Sequence, residues 1–321
     1  MKAVKVIPSG ESVVLTYEQV EPPVSGPHQV TVEVSAIGVN FMDLAAKTGA
    51  MGGNYRPDVP GVEGAGRIVA MGAEVTGFQI GDRVAWVFVR HSYAQQIVAD
   101  VDALVKIPDD IDDHTAAAVM MQGLTASHFA TCFYPVQPGD IALVHAGAGG
   151  LGRLLTQIIK LRGGTVISRV SSEAKIAVAK AAGADHVIVS DNGTFAQEAI
   201  RLSAGEGVHV VYDGSGPATF QGSLDALRRA GTFCWYGPVL GGPGPIDIMS
   251  LPKSIKLGYA VFFDHIHTPD LLREKAGQLF DWLRCGALTI EIGGVYPLAD
   301  ADKALTDLQS RKTTGKLILI P

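Results

Sequence analysis

A glycine-rich turn between a short apolar run and an amphipathic segment constrains the fold of this chain more than any other feature. Residues 141–160 read IALVHAGAGGLGRLLTQIIK. The first four have the length and apolarity of a buried parallel strand, and the leucines and isoleucines after the turn recur at helical spacing. Gly147, Gly149 and Gly152 form GxGxxG between strand and helix, a pattern typical of a dinucleotide-binding βαβ unit. A structural glycine loop in another α/β protein is the alternative.

The three glycines have separate expected roles. Gly147 permits the tight turn, Gly149 lets the backbone approach a pyrophosphate, and Gly152 lets helix and strand pack closely. The start of the helix adds free N–H groups and the positive end of the helix dipole. The residues expected to hold the cofactor at this turn are Gly147, Ala148, Gly149, Gly150, Leu151 and Gly152.

The pattern of elements around the turn predicts two domains. Short apolar runs alternate with helical patterns after residue 141, which indicates an α/β, doubly wound parallel sheet of the Rossmann type. The first 115 residues or so read as short strands between Gly and Pro turns, and the tail reads strand, helix, strand. We predict a Rossmann domain over residues 119–263 and a β-rich domain over residues 1–118 and 264–321.

Three local assignments concern segments that matter below. A long helix is predicted over residues 115–131. A helix over residues 220–229 is expected to precede a strand over residues 231–236. A further strand is predicted over residues 256–263.

Composition limits the classes of partner and compartment. The chain has 26 basic and 32 acidic residues, a net charge of −6, which argues against a broad nucleic-acid or anionic-membrane surface. Cys132, Cys234 and Cys285 lie far apart and form no CxxC pair, so neither a zinc knuckle nor a disulfide framework is expected. The start lacks a signal-peptide pattern and no apolar run is long enough to span a bilayer. We therefore expect a cytoplasmic protein without a membrane partner.

Several motifs in fixed order resemble those of a known family. They are GVNFMD (38–43), PGVEGAG (60–66), GDRV (81–84), HAGAGGLG (145–152), VVYDGSG (210–216) and SRKTTGKLILIP (310–321). Together they resemble the medium-chain dehydrogenase/reductase superfamily, and within it the zinc-independent quinone oxidoreductases of the zeta-crystallin type. The resemblance covers essentially the whole chain. It implies a GroES-like fold for the β-rich domain and a homodimer that pairs through the strand at residues 256–263.

The positions that hold zinc in related alcohol dehydrogenases are changed in this chain. Those enzymes carry a Cys where Asn40 stands and a His where Val62 stands, and their third ligand falls near Gln122. Zinc needs thiolate, imidazole or carboxylate ligands, so we predict no catalytic metal. The only metal-like run, Asp264-His265-Ile266-His267, is interpreted as a loop or the rim of a substrate pocket, with metal binding as the alternative.

The cofactor preference follows from the end of the second Rossmann strand. NAD enzymes place an acid about 20 residues beyond the first glycine, on the ribose hydroxyls. This chain has Arg169 there, followed by Ser171 and Lys175, which favours the 2′-phosphate of NADPH. The alternative is that Arg169 and Lys175 are solvated charges. The resemblance implies that Ser171, Lys175 and Arg311 lie at that phosphate, although Ser190 stands where the family often has a Tyr.

The expected reaction is hydride transfer to an activated acceptor. Quinones and α,β-unsaturated carbonyl compounds suit a metal-free site, because their reduction produces weakly basic enolates or hydroquinone anions. Asn40 is the first candidate hydrogen-bond donor and Tyr55, in a Gly-rich loop, is the second. Gln122 and Thr125, near the predicted domain boundary, are expected to touch the nicotinamide and its ribose.

Other polar residues near these motifs have structural interpretations at least as strong as catalytic ones. Asp43 and Glu63 are expected to hydrogen-bond within their loops. His91 and Tyr93 are expected at the surface, and His145 is expected to pack at a strand end.

The leading hypothesis is an NADPH-dependent reductase of quinones or activated C=C bonds that acts on small molecules. The alternative is a catalytically weak NADPH-binding protein with a structural or RNA-associated role, because no catalytic acid or base is unambiguous. The acidic composition counts against RNA. A zinc-free alcohol dehydrogenase is disfavoured, since nothing strong would stabilise an alkoxide.

Overall fold

The computed structural model describes residues 1–9, 12–48, 58–191, 194–237, 241–242 and 244–321. The chain divides into two compact units. The first comprises Met1–Leu124, Ile266–Gly286 and Ile290–Pro321, and the second comprises Thr125–His265 and Ala287–Thr289. The division at Leu124 falls inside a continuous helix, where the sequence pattern carries no mark of a boundary. No helix within the described ranges is both long enough and apolar enough to cross a membrane.

The strands and helices are given in chain order. The strands are β1 (Lys2–Ser9), β2 (Ser12–Gln19), β3 (Gln29–Val39), β4 (Glu63–Met71), β5 (Arg83–Val87), β6 (Gln96–Asp100), β7 (Leu104–Lys106), β8 (Ile141–Val144), β9 (Thr165–Val170), β10 (His186–Val189), β11 (Val208–Asp213), β12 (Leu227–Trp235), β13 (Lys256–Tyr259), β14 (Ile292–Pro297) and β15 (Lys316–Ile320). The helices are α1 (Ala45–Thr48), α2 (Asp113–His128), α3 (Gly150–Leu161), α4 (Ile176–Ala181), α5 (Ala196–Leu202), α6 (Pro217–Ala226), α7 (Pro269–Arg284) and α8 (Ala301–Gln309).

The first unit is built around β3. This strand pairs with β4, β6 and β15, and the described sheet runs in the order β14-β15-β3-β4-β5-β7, with β6 beside β3. Val30 and Val32 of β3 are fully buried, as its apolar alternation predicts. The last strand, β15, is therefore placed directly against the strand that leads into the GVNFMD motif.

The second unit is a parallel sheet with helical crossovers. Its strand order in the described residues is β10-β9-β8-β11-β12-β13, and each pair is parallel. This is the doubly wound order of dinucleotide-binding sheets, so the predicted fold class is confirmed. The order reverses between β8 and β11, and ligands of such sheets bind at the carboxyl ends of the strands on either side of that point.

Three local predictions need correction. The long helix is α-helical only to His128 and continues as a π-helical turn over Phe129–Phe133. The helix predicted at residues 220–229 begins three residues earlier, because Pro217 suits the first position of a helix. It ends at Ala226, and β12 starts at Leu227. The strand predicted at residues 256–263 ends at Tyr259, and its second half forms a 3-10 turn, Phe262–His265.

Candidate functional site

The glycine turn joins the end of β8 to the start of α3. Gly149 is the N-cap residue of α3, with extended backbone at φ −78° and ψ 165°. No side chain in the described part of the chain caps this helix. The first N–H groups of α3 are thus available to an anion at the positive end of the helix.

The glycines of the turn differ in what a side chain would meet. A Cβ at Gly147 would lie 2.5 Å from Ser168 Oγ, and one at Gly152 would overlap the carbonyl oxygen of Ala146. A Cβ at Gly149 would meet, among the described atoms, only the Ala146 oxygen at 3.2 Å. Packing therefore requires glycine at 147 and 152, whereas a side chain at 149 would meet one backbone oxygen only, and glycine there suits an approaching pyrophosphate.

This geometry refines the roles predicted for the glycines. The left-handed residue of the turn is Ala146, at φ 50°, and Gly147 has no such conformation. Gly147 instead allows close contact with β9, and Gly152 allows α3 to approach the turn itself.

A buried polar network lies at the reversal point of the sheet, directly after β8 and β11. Ser223 Oγ donates to Asp213 Oδ2 across 2.7 Å and lies 3.0 Å from His145 Nε2. Asp213 Oδ1 accepts from the backbone N–H of Ser215 and from Thr219 Oγ1, at 2.8 and 3.0 Å. Burial, with the nearby Arg169 charge, lowers the pKa of His145 to about 4, against the opposing effect of Asp213. His145 is fully buried, which confirms its expected packing role.

Arg169 belongs to this network. Its side chain is 7% exposed, its Nη1 lies 3.4 Å from His145 Nδ1, and its guanidinium carbon lies 5.3 Å from the centre of the Phe195 ring. The interpretation of Arg169 as a solvated charge is wrong. Its burial also gives no support to the predicted contact with a cofactor phosphate, because the position on a strand end did not reveal which way the side chain turns.

Ser171 and Lys175 form a more accessible pair just beyond β9. Lys175 Nζ lies 3.3 Å from Ser171 Oγ, and Ser171 is exposed. A cation and a hydroxyl thus face solvent together, as a phosphate site needs. Ser190 is buried, Thr125 is partly buried, and Arg311 is exposed in the first unit.

The first unit contains its own buried cluster around Lys316. Lys316 Nζ donates to Glu63 Oε2 at 2.6 Å and to Asn40 Oδ1 at 2.8 Å, and neither the Lys nor the Glu side chain is exposed. The other carboxylate oxygen of Glu63 accepts from the backbone N–H of Met121, inside α2, at 2.6 Å. The cluster therefore ties the GVNFMD turn, β4, α2 and β15 together.

Asn40 is fully engaged within this cluster. Its Nδ2 donates to Glu63 Oε2 at 2.8 Å and to the Gly38 carbonyl at 3.3 Å, while its Oδ1 accepts from Lys316. Both amide hydrogens therefore have protein acceptors, and the geometry does not support Asn40 as the donor to a substrate oxygen. Sequence reasoning missed Lys316, although a lysine opening the apolar run LILI was an available signal.

Asp43 and Tyr93 extend the buried polar region. Asp43 Oδ2 accepts from the Asn40 backbone N–H at 2.8 Å and from Tyr93 OH at 2.9 Å. Burial raises the pKa of Asp43 to about 7, although these two hydrogen bonds and Lys316 act in the opposite direction. The structural interpretation of Asp43 and Glu63 is confirmed. The surface position expected for Tyr93 is wrong, because its side chain is fully buried.

The other predicted catalytic residues are placed differently. Gln122 Oε1 is buried and accepts no hydrogen bond from any residue in the described ranges. Tyr55 lies outside the described residues. Val62, at the second zinc position of the related enzymes, is buried.

The chain resembles known proteins along most of its length. Residues 26–109 match the family described as alcohol dehydrogenase GroES-like domain, and residues 150–274 match the family described as zinc-binding dehydrogenase. The second match does not include positions 40, 62 and 122. A quinone oxidoreductase of Pseudomonas aeruginosa is 35% identical over 96% of each chain. A 2-haloacrylate reductase of Burkholderia is 32% identical over 95% of this chain and 94% of that relative.

The fold also matches solved structures. Quinone oxidoreductase of Escherichia coli, solved in complex with NADPH, has a TM-score of 0.94 at 29% identity, and the match covers 100% of both chains. The match extends over the β-rich unit and the parallel sheet alike.

Proposed function

The chain belongs to the quinone oxidoreductase family of the medium-chain dehydrogenases/reductases, and from this premise we propose that it transfers hydride from NADPH to quinones or other α,β-unsaturated carbonyl compounds. One observation carries the proposal most directly. At the uncapped start of α3, the turn at Gly147–Gly152 combines severe steric limits at Gly147 and Gly152 with a single, milder contact at Gly149, to the Ala146 oxygen at 3.2 Å.

The residues of the second unit suit NADPH in two places. The N–H groups at Gly149, Gly150 and Leu151 would hold the pyrophosphate. Ser171, which is exposed, and Lys175, which is partly exposed, would hold the 2′-phosphate, since no acid stands at the end of β9 to bind free ribose hydroxyls. Thr125 and Arg311 remain proposed cofactor contacts on the basis of the family resemblance. The NADPH complex of the E. coli relative supports the same cofactor.

When bound, NADPH supplies the hydride. The chain itself has to place the acceptor and stabilise negative charge on its oxygen. Gln122 is the first candidate for that contact, through the N–H donors of its side-chain amide, because within the described ranges no hydrogen bond to its buried Oε1 holds that amide in place. Tyr55 remains the second candidate. Asn40 is proposed as a positioning residue that keeps Glu63 and Lys316 in place beneath the GVNFMD turn.

The names of the relatives support the proposed substrate class. Quinones and 2-haloacrylates share a C=C bond conjugated to a carbonyl or carboxyl group, so one site can deliver hydride to either. A polar but uncharged contact such as Gln122 suits a neutral quinone or enone better than a carboxylate. We therefore propose neutral acceptors as the preferred class.

The decisive experiment measures NADPH oxidation by chelator-treated protein with 1,4-benzoquinone, 2-cyclohexen-1-one and 2-chloroacrylate side by side, with NADH as the control cofactor. Turnover that survives chelation and prefers NADPH and a neutral acceptor supports the proposal. Tight NADPH binding without turnover of any acceptor would overturn it in favour of a cofactor-binding protein.

A homodimer is proposed from the edge of the parallel sheet. β13 is the last strand of that sheet, and Tyr259 is 50% exposed on it. An unpaired edge strand is a template for pairing with a second copy. Light scattering at micromolar concentration tests this, and a monomer would refute it.

A further inference from the structure

The second unit contains a group of metal-ligating side chains that the proposed reaction does not use. One imidazole nitrogen each from His128 and His265 and the sulfur of Cys132 all lie within 4.8 Å of one another. We propose that His128, Cys132 and His265 bind one zinc ion. The site shares no residue with positions 40, 62 and 122, where the zinc-dependent relatives hold their metal.

Two unusual turns bring these residues together. His128 ends the α-helical part of α2, and Cys132 lies four residues later in the π-helical turn. π-helical turns are rare and are frequent at functional sites. His265 ends the 3-10 turn that follows β13, and the two imidazole rings lie 5.2 Å apart, centre to centre. β13 approaches the π-helical turn closely, because a Cβ at Gly258 would overlap the Phe133 ring.

The burial of the ligands is asymmetric in a way that suits a metal. His128 and His265 are 7% and 4% exposed, whereas Cys132 is exposed. The Nδ1 atom of His128 is buried and has no hydrogen-bond partner within the described ranges. A buried polar atom without a partner is unfavourable, and a metal bond would offset that cost. The exposed sulfur leaves a path by which the ion can enter from solvent.

The donor set selects the metal. Two imidazoles and one thiolate suit zinc, whereas Mg²⁺ and Ca²⁺ require oxygen ligands. Zn–S and Zn–N bonds of about 2.3 and 2.0–2.1 Å place the ligand atoms of a tetrahedral site roughly 3.4–3.6 Å apart. The observed limit of 4.8 Å needs only small side-chain rotations to reach that separation. Binding would release the Cys132 thiol proton to solvent and leave a fourth position for water or for the adjacent Asp264.

Cobalt substitution tests the site without any activity measurement. Tag-free full-length protein is treated with chelator, dialysed and titrated with Co²⁺, and Zn²⁺ is then added. We expect a thiolate-to-cobalt charge-transfer band in the near ultraviolet and tetrahedral visible bands, saturating at one ion per chain and removed by Zn²⁺. Zn²⁺ should also protect Cys132, but not Cys285, from alkylation by iodoacetamide.

The matched variants are Cys132→Ser and Cys285→Ser, since both cysteines are exposed and neither forms a disulfide. Cys132→Ser should abolish the charge-transfer band and weaken Zn²⁺ binding by more than the roughly 10- to 100-fold typical of losing an outer-shell partner. Cys285→Ser should change neither. The proposal would be overturned if wild-type protein gave no charge-transfer band with one or more equivalents of Co²⁺ per chain. It would also be overturned if the band survived in Cys132→Ser. Because NADPH and acceptors are absent, these outcomes do not depend on the proposed reductase activity.

Discussion

Arg169 Nη1 lies 3.4 Å from His145 Nδ1, and this contact sets the direction of a buried hydrogen-bond relay. A guanidinium can only donate, so Nδ1 accepts and the imidazole proton lies on Nε2. His145 Nε2 then donates to Ser223 Oγ at 3.0 Å, and Ser223 donates to Asp213 at 2.7 Å. A buried cation and a buried anion are thus joined through two neutral groups at the reversal point of the sheet.

Arg169→Met should destabilise the second unit by about 3–5 kcal/mol, because it leaves the buried Asp213 carboxylate without its compensating cation. NADPH and NADH affinity should change by the same factor. Denaturant unfolding and fluorescence titration with both cofactors measure the two effects. A selective loss of NADPH affinity with unchanged stability would instead place Arg169 at the 2′-phosphate.

Lys175→Ala should weaken NADPH binding at least about tenfold relative to NADH, since one charge-assisted hydrogen bond contributes roughly 1.5–3 kcal/mol. Lys180→Ala is the matched control, because Lys180 is an exposed lysine within α4, five residues after Lys175. The ratio of the two dissociation constants is the measured quantity. An equal shift for both cofactors, or an equal effect of the control, would remove Lys175 from the phosphate site.

Gly149→Ala and Gly152→Ala should separate cofactor binding from folding. A Cβ at 149 would meet only the Ala146 oxygen among the described atoms, at 3.2 Å, so NADPH affinity should fall more than about tenfold while stability falls by about 1 kcal/mol or less. The Cβ at 152 overlaps the Ala146 carbonyl, so that variant should lose about 1–3 kcal/mol of stability. Unchanged NADPH affinity in Gly149→Ala would contradict the assignment of the turn.

Gln122→Leu and Asn40→Ala should have opposite signatures. Gln122→Leu should lower kcat roughly 10²- to 10³-fold, because it removes an amide donor to the developing negative charge. It should not lower the free energy of unfolding, because the buried Oε1 that it removes accepts no hydrogen bond within the described ranges. Asn40→Ala should lower the free energy of unfolding by about 1–3 kcal/mol, because Glu63 and Lys316 each lose a partner. An Asn40→Ala protein with full stability and a 100-fold lower kcat would restore Asn40 as the donor.

His145 and Asp43 should give opposite pH dependences of stability between about pH 4 and 7. The pKa of His145 falls from 6.5 to about 4 on folding, so its contribution is present above pH 6.5 and is lost as pH falls through 4. The pKa of Asp43 rises from 3.8 to about 7, so its contribution is present below pH 3.8 and is lost as pH rises through 7.

Relative to the wild type, Asp43→Asn should therefore make the slope of stability against pH more positive across this range, by at most about 1.4 kcal/mol per pH unit. His145→Gln should make that slope less positive than in the wild type. Unfolding free energies measured at several pH values decide between these slopes. Identical slopes in the wild type and both variants would show that neither group titrates as described.

The predictable parts of this protein were those that depend on neighbours in sequence. The turn after β8 was predictable because strand, glycines and helix follow one another within twenty residues. The direction of the Arg169 side chain was not, since a strand end permits either face. Lys316 was missed because its partner Asn40 lies 276 residues away, and no local pattern connects them. The same holds for His128 and His265, which a π-helical turn and a 3-10 turn bring together.

The cluster around Lys316 has a consequence for the order in which the protein is made. Glu63 leaves the ribosome 253 residues before the lysine that neutralises it. At about 5–20 residues per second, this delay is roughly 10–50 s. The second unit is nearly continuous, so its sheet is complete before Lys316 emerges. Until then the first unit lacks both β15 and the cation that pairs with Glu63, so its buried core can be completed only after the strands of the second unit have been made.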